Sequence, residues 1–62
     1  MPLAQLYIAA GRDEAKKKAL IAAVTEAMIK TLGTPPESTW VTVQEIPRSQ
    51  WGSGGVTLDE KK

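Results

Sequence analysis

The chain contains no cysteine and no histidine, and its aromatic residues are limited to two tryptophans and one tyrosine. The absence of cysteine excludes disulfides. Without cysteine or histidine, the chain also lacks the ligands that structural zinc and most transition-metal sites prefer. We therefore expect no metal site and no metal cofactor.

Strong charge of one sign and long apolar runs are also missing. The formal net charge is +1, which argues against a polyanionic partner such as nucleic acid. No run approaches the roughly 20 apolar residues of a membrane span, and the first residues lack the basic start and apolar core of a signal peptide. We expect a cytoplasmic protein without a membrane or nucleic-acid partner.

At 62 residues, the chain is expected to form one domain, residues 1–62. A domain of this size buries only about 60% of the surface that its unfolded chain exposes. Small domains are usually secured by disulfides, a metal or oligomerisation. Because the first two are excluded, the sequence predicts self-association.

The order of elements is predicted to be strand, helix, strand and hairpin. Residues 2–8 are apolar and β-favouring, residues 39–46 are rich in β-branched and aromatic side chains, and glycines cluster at 52–55. Between the strands, apolar side chains recur at helical spacing. The stripe predicted to face the core consists of Leu20, Val24, Ala27, Met28 and Leu32, flanked by Ala19 and Ala23. Of these, Met28 and Leu32 are predicted to be core residues.

Both ends of the helix carry recognisable signals. Asp13 suits the N-cap, and Gly33 suits the left-handed residue that ends a helix. Within the first turns, Lys16, Lys17 and Lys18 are interpreted as a solvated face, with four-residue pairs from Asp13 to Lys17 and from Glu14 to Lys18. The charged residues 59–62 are predicted to form a mobile tail.

A strand–helix–strand unit predicts a parallel strand pair joined by a right-handed crossover. The fold class is therefore α+β: a β-α-β subunit with a C-terminal hairpin. Two strands and one helix leave apolar surface uncovered. We expect two subunits to pair into a four-stranded sheet covered by two helices.

Pro2 is the residue with the clearest chemical potential. An initiator methionine is generally removed before a small second residue, and the loss of Met1 would turn Pro2 into a free secondary amine, making residues 2–62 the mature chain. A free α-amine has a reference pKa of about 7.7–8.0 and can act as a base near neutral pH. Apolar strand neighbours or the guanidinium of Arg12 would favour the unprotonated amine.

Three features form a pattern along the chain: Pro2 at the start of the first strand, Gly11-Arg12 before the helix, and the run Trp51-Gly52-Ser53-Gly54-Gly55. This pattern resembles the 4-oxalocrotonate tautomerase family over nearly the whole chain. The resemblance implies the tautomerase fold and an isomerase that needs no cofactor. Its substrates would be small unsaturated 2-hydroxy or 2-oxo carboxylic acids.

The resemblance also implies roles for individual residues. Pro2 would carry the proton as general base and acid, and Arg12 would bind a substrate carboxylate through paired hydrogen bonds. Trp51 would form an apolar wall that lowers the pKa of the proline. The assembly implied is a homohexamer, a trimer of dimers, with each site built across subunit boundaries.

One position departs from the family pattern. Trp40 stands where well-known members carry a second arginine, and loss of such a donor costs roughly a hundred- to a thousandfold in turnover. We therefore expect the family's reference substrate to be a poor one. Trp40 either narrows the pocket or packs between subunits, and Arg48 would replace the missing cation if the chain turns toward the pocket.

Two alternative functions stay open at this stage. One is dehalogenation or decarboxylation of a short unsaturated acid with protonated Pro2 as the acid, for which Glu45 would have to activate water. The other is a catalytically silent oligomeric binding module. Activity lost at low pH indicates a proline base, whereas activity lost at high pH indicates a proline acid.

Overall fold

The computed structural model describes residues 2–60 of the chain. Strands β1 (Leu3–Ala9) and β2 (Trp40–Ile46) form a parallel pair in which Leu3 lies opposite Trp40 and Ala9 opposite Ile46. The predicted strands and their direction are confirmed. β1 begins and ends one residue later than predicted, and β2 begins one residue later but ends at the predicted residue. Pro2 precedes β1, and its carbonyl oxygen accepts a hydrogen bond of 3.1 Å from the Trp40 amide.

Helix α1 (Glu14–Leu32) connects the two strands. The Asp13 carboxylate accepts the Lys16 amide at 2.9 Å, and Gly33, at φ +70°, donates its amide to the Ile29 carbonyl at 2.9 Å. Both caps are therefore confirmed. A 3₁₀ turn (Pro36–Ser38) then leads into β2.

The face of α1 toward the sheet differs in part from the predicted stripe. The half-buried residues of this stretch are Leu20, Ile21, Val24, Thr25, Met28 and Ile29. The predictions were wrong for Ala27, which is exposed, and for Leu32, whose exposed fraction is 60%. The flanking residues Ala19 and Ala23 are exposed as well. Each step of four residues advances about 40° around a helix axis, so Leu32 has rotated away from the row that starts at Leu20.

The basic run at the start of α1 is only partly solvated. The Lys17 ammonium lies 2.8 Å from carboxylate oxygens of both Glu14 and Glu45, and its side chain is only 16% exposed. The prediction of a solvated face was therefore wrong for Lys17, because Glu45 on β2 draws the lysine across to the sheet. The observed pairing with Glu14 spans three residues.

Two short strands, β3 (Gly52–Ser53) and β4 (Val56–Thr57), form the predicted C-terminal hairpin. Gly54 and Gly55 make its turn with φ values of +65° and +86°, a region that side chains disfavour. The chain continues in a turn in which the Glu60 carboxylate accepts the Thr57 hydroxyl at 3.0 Å. Of the predicted mobile tail, Lys61 and Lys62 lie outside the described residues.

The single protomer has a thin core. Among residues 2–60 no hydrophobic side chain is buried, and Thr39 alone is, at 7% exposure. The helix covers one face of the β1–β2 pair and leaves the opposite face open. The large exposed apolar residues are Leu3, Tyr7, Leu32, Trp40 and Val56. Apolar surface of this extent indicates association. No helix in the described part of the chain combines the length and apolarity needed to cross a membrane.

Candidate active site

Pro2 lies at the amino end of the parallel pair and is half-buried. Its carbonyl oxygen is held by the Trp40 amide. Removal of Met1, on which a free amine depends, lies outside the described residues.

Arg12 lies at the other end of β1. The chain leaves β1 through Gly11, whose φ is +126°, and the exposed Arg12 side chain turns back so that Nη1 donates to the Ala9 carbonyl at 3.0 Å. This contact uses one of the five guanidinium donors. The remaining donors are available to a carboxylate at the carboxyl end of the sheet.

Trp51 and Arg48 also follow the carboxyl end of the sheet. After β2 ends at Ile46, a 3₁₀ turn (Arg48–Gln50) leads to Trp51, which is half-buried and whose carbonyl accepts the Leu58 amide at 2.8 Å. Arg48 Nη2 donates to the Leu58 carbonyl at 3.2 Å. Leu58, which follows the hairpin, therefore holds both residues in the segment after the carboxyl end of β2.

The predicted site residues thus form two groups at opposite ends of the sheet. Pro2 and Trp40 lie at the amino end, and Arg12, Arg48 and Trp51 lie at the carboxyl end. The seven residues of β1 separate the ends by about 20 Å at about 3.3 Å per residue. Residues 2–60 of the single protomer enclose no cavity. One chain therefore does not hold Pro2 and Arg12 close enough to act on the same small molecule.

Trp40 is hydrogen-bonded to Pro2 through its backbone amide, but its side chain lies on the open face of the β1–β2 pair. Its neighbours along β2, Val41 and Val43, are half-buried under the helix, whereas Trp40 is 51% exposed. Its indole Nε1 donates to the Glu37 carbonyl at 3.3 Å. Both roles expected for Trp40, narrowing a pocket or packing between subunits, therefore require a neighbouring chain.

The register also places the polar residues of the sheet. Tyr7 lies opposite Gln44 on the open face. Glu45 lies on the helix side and is bound to Lys17, and the carboxylates of Glu14 and Glu45 raise the pKa of Lys17 above its ordinary value by hydrogen bonding to its ammonium. A carboxylate engaged in this way is poorly suited to activating water.

Sequence reasoning missed Thr39, which is buried next to Pro2. Its hydroxyl lies 2.6 Å from that of Thr34 and donates to the Pro35 carbonyl at 2.8 Å. Threonine is common in strands, so composition and periodicity carry no signal for this contact. Its position directly after a proline-rich turn is the only local indication.

Comparison with known proteins agrees with this architecture. Residues 2–61 match the family model of the tautomerase enzymes. The chain is 43% identical over 60 residues to a 2-hydroxymuconate tautomerase of Pseudomonas putida. The aligned residues cover 97% of this chain and 95% of that protein.

Two solved structures extend the likeness to the fold. A 4-oxalocrotonate tautomerase isozyme of Methylibium petroleiphilum superimposes with a TM-score of 0.91 at 41% identity over 94% of both chains. A heterohexameric 4-oxalocrotonate tautomerase of Chloroflexus aurantiacus gives a TM-score of 0.94 at 26% identity over 100% of both chains. These similarities span the β-α-β unit and the hairpin, and they confirm the isomerase inferred from the sequence: the chain belongs to the tautomerase family.

Proposed function

We propose that this tautomerase moves one proton between oxygen and carbon of a small unsaturated 2-hydroxy or 2-oxo carboxylic acid, with the amine of Pro2 as the proton carrier. The amine takes the proton from the enol oxygen and returns it to a carbon of the conjugated chain, so no electrons are exchanged with a cofactor. The observation that carries the proposal is that the family match begins at residue 2, the proline at the head of β1.

The amine requires that Met1 be absent, because the nitrogen of an internal proline is an amide without basicity. A free α-amine has a reference pKa of about 7.7–8.0, so a useful fraction is unprotonated near neutral pH. The half-buried position of Pro2 against the helix side of the sheet supports this role, since partial desolvation disfavours the cation.

Arg12 of a neighbouring chain is proposed to bind the substrate carboxylate. Its exposed guanidinium at the carboxyl end of the sheet supports this, because the distance along β1 prevents it from serving the Pro2 of its own chain. Trp51, which follows the carboxyl end of β2, is proposed to form an apolar wall, and Arg48 to supply a second cation. Trp40 is proposed to line the same composite site from the open face.

The assembly proposed is a homohexamer built as a trimer of dimers. The uncovered sheet face and the absence of a buried apolar side chain in residues 2–60 support association, and family members form hexamers, as the Chloroflexus aurantiacus heterohexamer illustrates. Antiparallel pairing of two protomers would bring the Pro2 end of one beside the Arg12 end of the other. The cytoplasmic location stays a prediction.

The proposal is tested by intact mass and turnover. Purified protein is expected to lack Met1, and 2-hydroxymuconate conversion, followed by ultraviolet absorbance, is expected to fall by at least about a hundredfold in Pro2→Ala. Arg12→Ala is expected to raise KM strongly. Lys30→Ala, which removes an exposed helix cation paired loosely with Glu26 at 3.7 Å, is the matched control and is expected to behave as wild type.

Either of two results would contradict the proposal: a mature protein that retains Met1 while active, or wild-type turnover in Pro2→Ala. Because Trp40 replaces the family's second arginine, slow conversion of 2-hydroxymuconate by wild type is expected. The same variants are therefore also assayed on monocarboxylic enols such as phenylenolpyruvate.

A further inference from the structure

The only buried residue among residues 2–60 is polar. Thr39 is 7% exposed in a protomer whose described apolar side chains are all at least partly accessible. Its hydroxyl donates to the Pro35 carbonyl at 2.8 Å and, with that proton used, accepts from the Thr34 hydroxyl at 2.6 Å. These two consecutive hydrogen bonds, here called the hydroxyl chain, run from Thr34 through Thr39 to Pro35. They tie together the segment that connects α1 to β2.

This hydroxyl chain lies beside Pro2. The pairing of Leu3 with Trp40, continued by one residue, places Thr39 opposite Pro2, and the Trp40 amide bond to the Pro2 carbonyl fits that register. Thr39 is extended, with φ −105° and ψ 110°. Side chains alternate along a strand, so Thr39 shares the helix-covered face with Val41, as Pro2 does with Ala4.

We propose that Thr39, held by Thr34, is a positioning residue for the Pro2 amine. The inference rests on the proposed role of Pro2 as proton carrier. Thr39 fixes the start of β2, the Trp40 amide fixes Pro2 to β2, and the continued register places the Thr39 side chain on the same face of the sheet as the proline. The amine is thereby held relative to the bound substrate without any contact between Thr39 and the substrate.

The geometry predicts which kinetic constant depends on Thr39. Binding of the substrate carboxylate is proposed to depend on Arg12 of a neighbouring chain, which is not part of the β2 start that Thr39 holds. Proton transfer depends on the amine, and a displacement of about 1 Å can cost as much as a hundredfold in rate. Loss of the hydroxyl chain therefore lowers kcat and leaves KM unchanged.

The test compares variants that remove or keep the hydroxyl. Thr39→Val keeps the shape and is expected to lower kcat about tenfold with KM within about twofold of wild type. Thr39→Ser keeps the hydroxyl and is expected to recover kcat to within about twofold. Thr34→Val removes only the outer bond and is expected to lower kcat a few-fold, again at constant KM.

Thr25→Val is the matched control. Thr25 is a half-buried threonine whose hydroxyl also donates to a backbone carbonyl, that of Ile21 at 2.7 Å, but in the middle of α1. Thr25→Val is expected to lose about as much thermal stability as Thr39→Val. Its kcat is expected to stay at the wild-type value. Circular dichroism and the mass of the assembly are measured for every variant.

Wild-type kcat in a folded and assembled Thr39→Val protein overturns the inference, and so does an equal fall of kcat in Thr25→Val. If Thr39→Val does not fold, Thr34→Val decides: a lower kcat at constant KM supports the inference, and an unchanged kcat overturns it. Pro2→Ala separates the two levels. Wild-type turnover in Pro2→Ala removes the proposed function itself, whereas a strongly impaired Pro2→Ala with a fully active Thr39→Val removes only the positioning role.

Discussion

A site divided between chains predicts that two inactive variants restore each other. Pro2→Ala replaces the ring-constrained secondary amine, the proposed proton carrier, with an unconstrained primary amine, and Arg12→Ala removes the proposed carboxylate ligand. Each homogeneous assembly is expected to lose at least about a hundredfold in kcat/KM. When the two chains assemble together, some sites receive Pro2 from an Arg12→Ala chain and Arg12 from a Pro2→Ala chain, and these sites are intact.

The size of the recovery follows from the geometry. Pro2 and Arg12 of one chain lie beyond opposite ends of β1, whose seven residues span about 20 Å, so we expect each site to draw them from different chains. With equal amounts and random mixing, about one quarter of the sites contain both wild-type residues. The mixture is therefore expected to show about a quarter of wild-type activity.

The assay uses chains unfolded together, refolded at a ratio of one to one, and followed by substrate absorbance. A mixture of wild type with the double variant Pro2→Ala/Arg12→Ala provides the control. It also gives about one quarter if the site spans two chains, but about one half if both residues act within one chain. Activity of the first mixture that stays at the level of the separate variants, in assemblies shown by mass to be mixed, would refute the divided site.

Three further predictions concern stability and assembly. Tyr7→Glu puts a charge on the open face of the sheet and is expected to prevent oligomerisation, so light scattering should find smaller species that unfold at lower temperature. Lys17→Met is expected to lower the melting temperature. Because Glu14 and Glu45 raise the pKa of Lys17, the stability from Lys17 is present through neutral pH and disappears only in strongly alkaline solution, where wild type and variant should converge. Asp13→Ala removes the N-cap and is expected to cost about 1 kcal/mol in urea unfolding, with Asp13→Asn close to wild type; an unchanged midpoint in Asp13→Ala would show that the cap is dispensable.

The local features of the fold could be predicted from the sequence because they depend on neighbouring residues. Asp13 and Gly33 mark the helix ends through their own side-chain and backbone chemistry, and the glycines at 54 and 55 determine the hairpin turn. The prediction of the helix face failed at Leu32 because burial depends on where the helix lies on the sheet. The prediction of a solvated Lys17 failed because its partner Glu45 is 28 residues away in the sequence, beyond the reach of any local pattern.

The sequence by itself determined the elements, the parallel direction of the strands, the family, and the residues proposed to perform its chemistry, with Pro2 first among them. These depend on local propensity and on patterns confined to short stretches of chain. Tertiary structure decided the register that puts Thr39 beside Pro2, the contact between Lys17 and Glu45, and the separation of Pro2 from Arg12. Such distances are set by the packing of residues remote in sequence, and no spacing in the sequence encodes them directly.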